Sequence, residues 1–154
     1  MSIVAKENSV VFQIERETFN NCIFRANSSM QQRRQRALRS VSTLNCLKSD
    51  EICRLAEVLK TRTYNKDETI VSVGQEADEL IIIEVGSVVG DPLAGASKGA
   101  EKKHSPGESF GEVNLLRTGA VIKVTKRANE TPTRVAVLQK DTFERLFGPL
   151  AEMM

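Results

Sequence analysis

Two textures of apolar and polar positions divide the chain near Lys60. Before it, apolar residues recur at helical spacing. They are Phe19, Cys22 and Ile23 within Glu15 to Ile23, and Met30, Ala37, Leu38 and Val41 within an arginine-rich stretch, Ser29 to Val41, that lacks Pro and Gly. A third set, Ile52, Leu55, Ala56 and Leu59, follows Ser49-Asp50-Glu51. Such spacing puts the apolar side chains on one face of a helix, and Ser49 is placed to cap the third helix. A short apolar run, Val10 to Ile14, precedes all of these and reads as a strand.

After Lys60 the apolar runs shorten to strand length. Thr61–Tyr64, Thr69–Val73, Leu80–Val85, Val88-Val89, Val121–Thr125 and Val135–Leu138 are rich in β-forming residues. Gly74, Gly86, Gly90 and polar turns such as Asn65-Lys66-Asp67 and Ser105-Pro106-Gly107-Glu108 separate them. Asp91 to Lys103 is small, polar and glycine-containing, and reads as a loop or hairpin tip. Lys140 to Phe147 is a final helix, with Phe143, Leu146 and Phe147 on one face and Gly148-Pro149 ending it. Helices, then many short strands, then a helix predict an α+β fold: an antiparallel β-roll, jelly-roll-like, with flanking N- and C-terminal helices.

The chain also repeats itself. Ile14-Glu15-Arg16-Glu17-Thr18-Phe19 matches Leu138-Gln139-Lys140-Asp141-Thr142-Phe143 in character at each position, at a constant offset of 138 − 14 = 124. Both copies follow an apolar run and open a helix. A period of domain size is the mark of tandem units. The expected organisation is therefore residues 1–28 as the tail of a preceding like domain, 29–43 as a connecting basic helix, and 44–154 as one whole domain.

Composition narrows the function classes. The net charge of +2 over 154 residues implies no large nucleic-acid footprint. No apolar run is long enough to span a bilayer, and no basic-then-apolar leader opens the chain. Three cysteines, Cys22, Cys46 and Cys53, lack the paired spacing of a zinc site and suit a reducing, cytoplasmic compartment. Cysteines of this kind are expected to be small buried apolar residues. The lone histidine, His104, sits in a polar stretch beside Lys102 and Lys103 and reads as a solvated loop residue. No catalytic residues, metal ligands or cofactor motif are visible. Arg33, Arg34, Arg36 and Arg39 read as a solvated helix face, with a docking patch for an acidic partner as the other reading.

The candidate chemistry lies in Gly107-Glu108-Ser109-Phe110-Gly111-Glu112-Val113-Asn114-Leu115-Leu116. A glycine before a short helix lets backbone approach a ligand closely. The helix N-terminus offers unpaired N–H groups to an anion. A carboxylate at that turn can accept two hydroxyl hydrogen bonds, as from a ribose.

From Ser40 to the end, the chain resembles the second cyclic-nucleotide-binding domain of protein kinase A regulatory subunits and its relatives in cGMP-dependent kinases. The residues that carry the resemblance are Leu55-Ala56-Glu57-Val58-Leu59 with Tyr64, Gly74-Gln75-Glu76-Ala77-Asp78, and Ile81-Ile82-Ile83-Glu84-Val85-Gly86-Ser87-Val88. Phe110 to Leu116 looks like the phosphate-binding cassette, and Phe143 to Pro149 like the helix after the barrel. The resemblance implies that Glu112 binds a ribose 2′-hydroxyl and that backbone at Gly111, Glu112, Val113 and Asn114 meets a cyclic phosphate. It also implies a phosphate-neutralising arginine, but Val121 stands at that position, Ala120 stands at the family's proline and Asn114 replaces a small alanine. Lys123, Arg117 and Lys126 are the candidate substitute cations, Lys123 foremost. The expectation is a non-enzymatic regulatory domain with a degenerate pocket, weak or absent cAMP or cGMP binding, and a role as an allosteric or structural relay. Its expected partners are a neighbouring domain of the same kind and a protein kinase domain or subunit. The alternatives are an uncharged nucleoside ligand, or a working cAMP or cGMP sensor with a substitute cation.

Overall fold

The architecture comes from a computed structural model, which describes residues 2–91, 102–117 and 119–149. The chain forms two compact units, Met1–Met30 and Gln31–Met154. Helix α1, Arg16–Ser40, is one element where the sequence pattern suggested two. No Pro or Gly interrupts it, and neither Ser28-Ser29 nor the polar residues around them stop a helix.

In the first unit the expected strand Val10–Ile14 does not form. Its side chains are exposed, Phe12 to 99% and Val11 to 83%. A strand needs a neighbour for its backbone N–H and C=O groups, and no strand pairs with it among the described residues.

The second unit holds the roll. A 3-10 turn, Ser42–Leu44, leads to α2, Ser49–Val58. Ser49 is the first helical residue rather than the cap. Lys48 precedes the helix, and its backbone N–H donates to Glu51 Oε2 at 2.7 Å. Then come β1 (Lys60–Tyr64), β2 (Thr69–Val71), β3 (Glu79–Val85), β4 (Val88–Gly90), β5 (Lys103–His104), β6 (Ser109–Phe110), α3 (Glu112–Leu116), β7 (Lys126–Ala128), β8 (Thr133–Gln139) and α4 (Lys140–Phe147). Two four-stranded antiparallel sheets result, ordered β1-β8-β3-β6 and β2-β7-β4-β5.

Strand β3 shows why its run of Leu and Ile is continuous. Leu80 and Ile82 point to one face, where they meet Leu38, Leu44, Leu55, Leu115 and Phe143 from the helices. Ile81 and Ile83 point to the other, where they meet Ile70, Val71, Val88 and Ala128 of the second sheet. A strand covered on both faces has no solvent side to mark with polar residues.

Two expected elements are corrected. Val121–Thr125 is not a strand: Val121 makes an isolated bridge to Glu76, and the true strand begins at Lys126. Backbone bonds from Ala77 to Ala120, from Ile122 to Gln75 and from Gly74 to Ile122 tie this segment to the β2–β3 turn instead of to a sheet. Lys103–His104, read as the end of a loop, forms β5 on β4. The rest of that proposed loop, 92–101, lies outside the described residues. Cys22 and Cys46 are exposed and Cys53 half-buried, so the cysteines are not core residues. No helix among the described residues is long and apolar enough to cross a membrane.

The basic helix face is also corrected. Arg34 is buried, at 5% exposure. Its Nε donates to Glu84 Oε1 at 2.6 Å and one terminal nitrogen to Thr61 Oγ1 at 2.6 Å. Arg33, Arg36 and Arg39 are exposed as expected. Glu84, on β3, takes Arg134 on its other oxygen at 3.0 Å.

Candidate functional site

A cavity of about 400 Å³ opens beside the inner faces of the sheets. Its lower wall is apolar: Ile70 and Val71 of β2, Ile81 of β3, Phe110 of β6 and Ile122. Its polar wall carries Arg62, Gln75, Glu76, Asp78, Glu79 and Asn114. The volume lies within the usual range for small-molecule sites.

Strand alternation places the first charge. On β1, Arg62 and Tyr64 are half-buried while Lys60, Thr61 and Thr63 are exposed. Tyr64 packs on the inter-sheet core, so Arg62, two residues away, faces inward with it. Its guanidinium makes a fork-to-fork pair with Glu79 at 2.9 and 2.7 Å. The hydrogen bond to Glu79 outweighs the cost of burial and raises the Arg62 pKa, so this cation stays charged and already engaged. Sequence reasoning missed both residues, although the Lys-Thr-Arg-Thr-Tyr alternation carried the signal for Arg62.

The six residues expected at the site fare differently. Asn114 lines the cavity. Its Nδ2 donates to the Glu79 carbonyl at 3.3 Å, and its backbone N–H donates to Gly111 O at 3.0 Å. Gly111 caps α3 with φ +86°. A Cβ there would collide with the carbonyl oxygen of Glu79 and lie 3.0 Å from Asn114 Nδ2. The close approach that this glycine permits is thus used by the protein itself. Glu112 opens α3, half-buried; Val113 is 47% exposed on the same helix. Val121 is 56% exposed, and Lys123 is exposed on the same segment. Of the six, only Asn114 is among the residues that wall the cavity; Gly111, Glu112, Val113, Val121 and Lys123 are not.

Gly111→Ala should therefore destabilise the domain whether or not a ligand is present. Left-handed backbone costs a non-glycine residue about 1–3 kcal/mol, and the clash with Glu79 adds to that. Urea denaturation should show a lower midpoint; an unchanged midpoint would mean that α3 starts elsewhere.

A second polar cluster stands behind Phe110. Lys126 Nζ lies 3.8 Å from the centre of the Phe110 ring and 2.9 Å from His104 Nε2. His104 is buried at 5% exposure, with Nδ1 3.6 Å from Glu108 Oε2. The solvated-loop reading of this histidine is wrong: β5 turns it inward beside Phe110, at 5.4 Å between ring centres. Burial, then Lys126 and Lys102, lower its pKa. Burial and Lys102 lower that of Lys126 to about 8.

The sequence profile of the cyclic nucleotide-binding domain matches residues 61–148. The cAMP-dependent protein kinase regulatory subunit of Colletotrichum orbiculare is 28% identical over 152 residues, covering 99% of this chain and 38% of that protein. Among solved structures, the regulatory domain of Toxoplasma gondii PKA with cAMP aligns at a TM-score of 0.63 and 28% identity, over 90% of this chain and 53% of that one. The regulatory subunit of a cAMP-independent protein kinase A from Trypanosoma cruzi bound to guanosine shares the fold, at a TM-score of 0.58 and 24% identity over 90% of this chain and 49% of that one. The chain spans little more than a third of the curated relative's length. With the two-sheet roll, the glycine-capped α3 and the match over residues 61–148, this chain belongs to the cyclic nucleotide-binding domain family.

Proposed function

We propose that this domain regulates a protein kinase through its flanking helices and does not bind cAMP or cGMP in the usual way. One observation carries the reading: none of the described residues that line the cavity is a free cation. Among its lining residues, Glu76, Asp78 and Glu79 face a single guanidinium, Arg62, which Glu79 already holds. Val121 stands where the family places its phosphate arginine, and Lys123 is exposed outside the cavity wall. A buried phosphate without a replacement for water is strongly disfavoured.

The domain then acts as a relay between neighbours, passing on a population shift rather than sensing a cyclic nucleotide. Its partners are a protein kinase domain or subunit and a preceding domain of the same kind, in a cytoplasmic setting. The preceding domain is supported by the internal repeat: α1 starts at Arg16 and α4 at Lys140, 124 residues apart. Phe143 is fully buried in the roll, while Phe19, its counterpart, is 51% exposed, as a residue would be that lacks the roll it packs on.

A second reading follows from the same charge balance. An uncharged nucleoside avoids the anion penalty and suits an acid-rich wall with an apolar floor; Glu112, at the start of α3 and outside the residues that line the cavity, is the carboxylate that the family motif would set on its ribose. Calorimetry separates the cases. With cAMP and cGMP no dissociation constant below about 10 μM is expected; a submicromolar value for either overturns the proposal. Micromolar binding of adenosine or guanosine, with the cyclic nucleotides silent, selects the second reading.

A further inference from the structure

The cluster behind Phe110 has a chemistry that ligand binding does not use. Lys126 and Ala128 share one face of β7, and Ala128 is buried in the inter-sheet core, so Lys126 points inward. Among the described residues its partners are an imidazole and an aromatic face, not a carboxylate. The described acids nearby serve other groups. Asp91 takes Arg127 on the opposite face of β7, Glu130 takes Lys103, and Glu108 takes His104. Lys102 adds a second positive charge.

The order of contacts is chemically specific. Glu108 on the Nδ1 side favours the tautomer with its proton there, leaving Nε2 as an acceptor towards Lys126. A nucleophile on a base that a third group orients is the arrangement of activated nucleophiles in general. We propose that Lys126 is an acyl-acceptor site, its amine activated by His104 and oriented through Glu108, and that it reacts with small acyl thioesters. In the reaction the Lys126 nitrogen lone pair attacks the thioester carbonyl carbon. The C–N bond forms, the C–S bond breaks and the thiolate leaves. The amine proton passes to His104 Nε2 and from there to the thiolate, which restores the neutral imidazole. The product is an uncharged amide over Phe110, a wall of the cavity.

The lowered basicity of Lys126, which follows from its burial and from Lys102, fits this geometry. With a pKa of about 8, about a quarter of the side chain is free amine at pH 7.5, against about one in a thousand for an ordinary lysine. The side chain is half-buried.

The test is acetyl-coenzyme A with the purified domain at pH 7.5, read by peptide mass spectrometry over time. Lys126 should acetylate at least about tenfold faster than exposed Lys66 in the same tube. Its rate should rise to a plateau above pH 8. His104→Gln should bring it down towards the Lys66 rate. Glu108→Gln, at an exposed side chain, should lower it several-fold in a domain whose melting is unchanged, which keeps the test open should the histidine variant fail to fold. Equal labelling of Lys126 and Lys66, or a Lys126 rate that neither variant changes, overturns the proposal.

Discussion

Val121→Arg combined with Asn114→Ala should tighten cAMP binding by about a hundredfold to several thousandfold. A bidentate, charge-assisted partner for a desolvated phosphate is worth about 3–5 kcal/mol, and each 1.4 kcal/mol is a factor of ten. The position tolerates the change, because Val121 is 56% exposed and holds its place through a backbone bridge to Glu76 rather than by packing. Asn114 must change too. Its amide occupies the space above Gly111, bonded to the Glu79 carbonyl, where the family keeps a small residue. Glu76 is the competitor: opposite Val121, it can take the new guanidinium before a ligand arrives, so Glu76→Gln in addition should sharpen the gain. Calorimetry on the double and triple variants checks this. If affinity stays within a factor of a few of the parent, the missing cation is not what silences the pocket. Lysine at 121 should recover only part of the effect, since a point charge lacks the planar fork.

The sequence patterns located the roll because short apolar runs punctuated by glycine and polar turns mark its strands and 3.6-residue spacing marks its helices, even where β3 and β8 are buried on both faces and show no period of two. Lys140–Phe147 was legible to the residue, since a strand of Val and Leu runs directly into a helix that Gly148 ends. Val10–Ile14 was misread because composition reports what a segment could pair with, not whether a partner is there. Val121–Thr125 was misread for a related reason: three backbone bonds to the β2–β3 turn win over β-propensity. The site was legible in part. Gly111 and Asn114 could be placed from the motif, whereas the Arg62–Glu79 pair joins residues 17 apart on strands that are not neighbours in the sheet, with β8 between them. No local pattern encodes such a pairing. The same holds for Arg34, whose burial depends on Glu84, 50 residues on.

That anchor gives the largest stability effect to be expected. Glu84→Ala should cost the domain about 3–5 kcal/mol, because it leaves Arg34 buried with neutral partners only, the Thr61 hydroxyl and the Leu59 carbonyl. Against a typical total of about 5–15 kcal/mol the loss is severe, and the melting temperature should fall by roughly 10–20 °C. Removing the other partner is a different matter. Arg134 is 40% exposed, and Arg134→Ala should cost no more than about 1 kcal/mol. Replacing both members of the buried pair, Arg34→Met with Glu84→Met, should recover most of the stability, since desolvation then no longer has to be offset. A double-mutant cycle by urea denaturation gives the coupling directly. The anchor matters for function because of where its members sit. Thr61 adjoins Arg62 on β1, and Glu84 shares β3 with Glu79 and Ile81, so the strands that wall the cavity also hold the C-terminal half of α1. Movement of the Arg62–Glu79 pair then has a short route to that helix, through two adjacent residues and one strand. Arg62→Met should accordingly raise hydrogen exchange in the last turns of α1, around Arg34 to Ser40, more than in α2. Equal exchange in both helices would mean that the cavity and the anchor are independent.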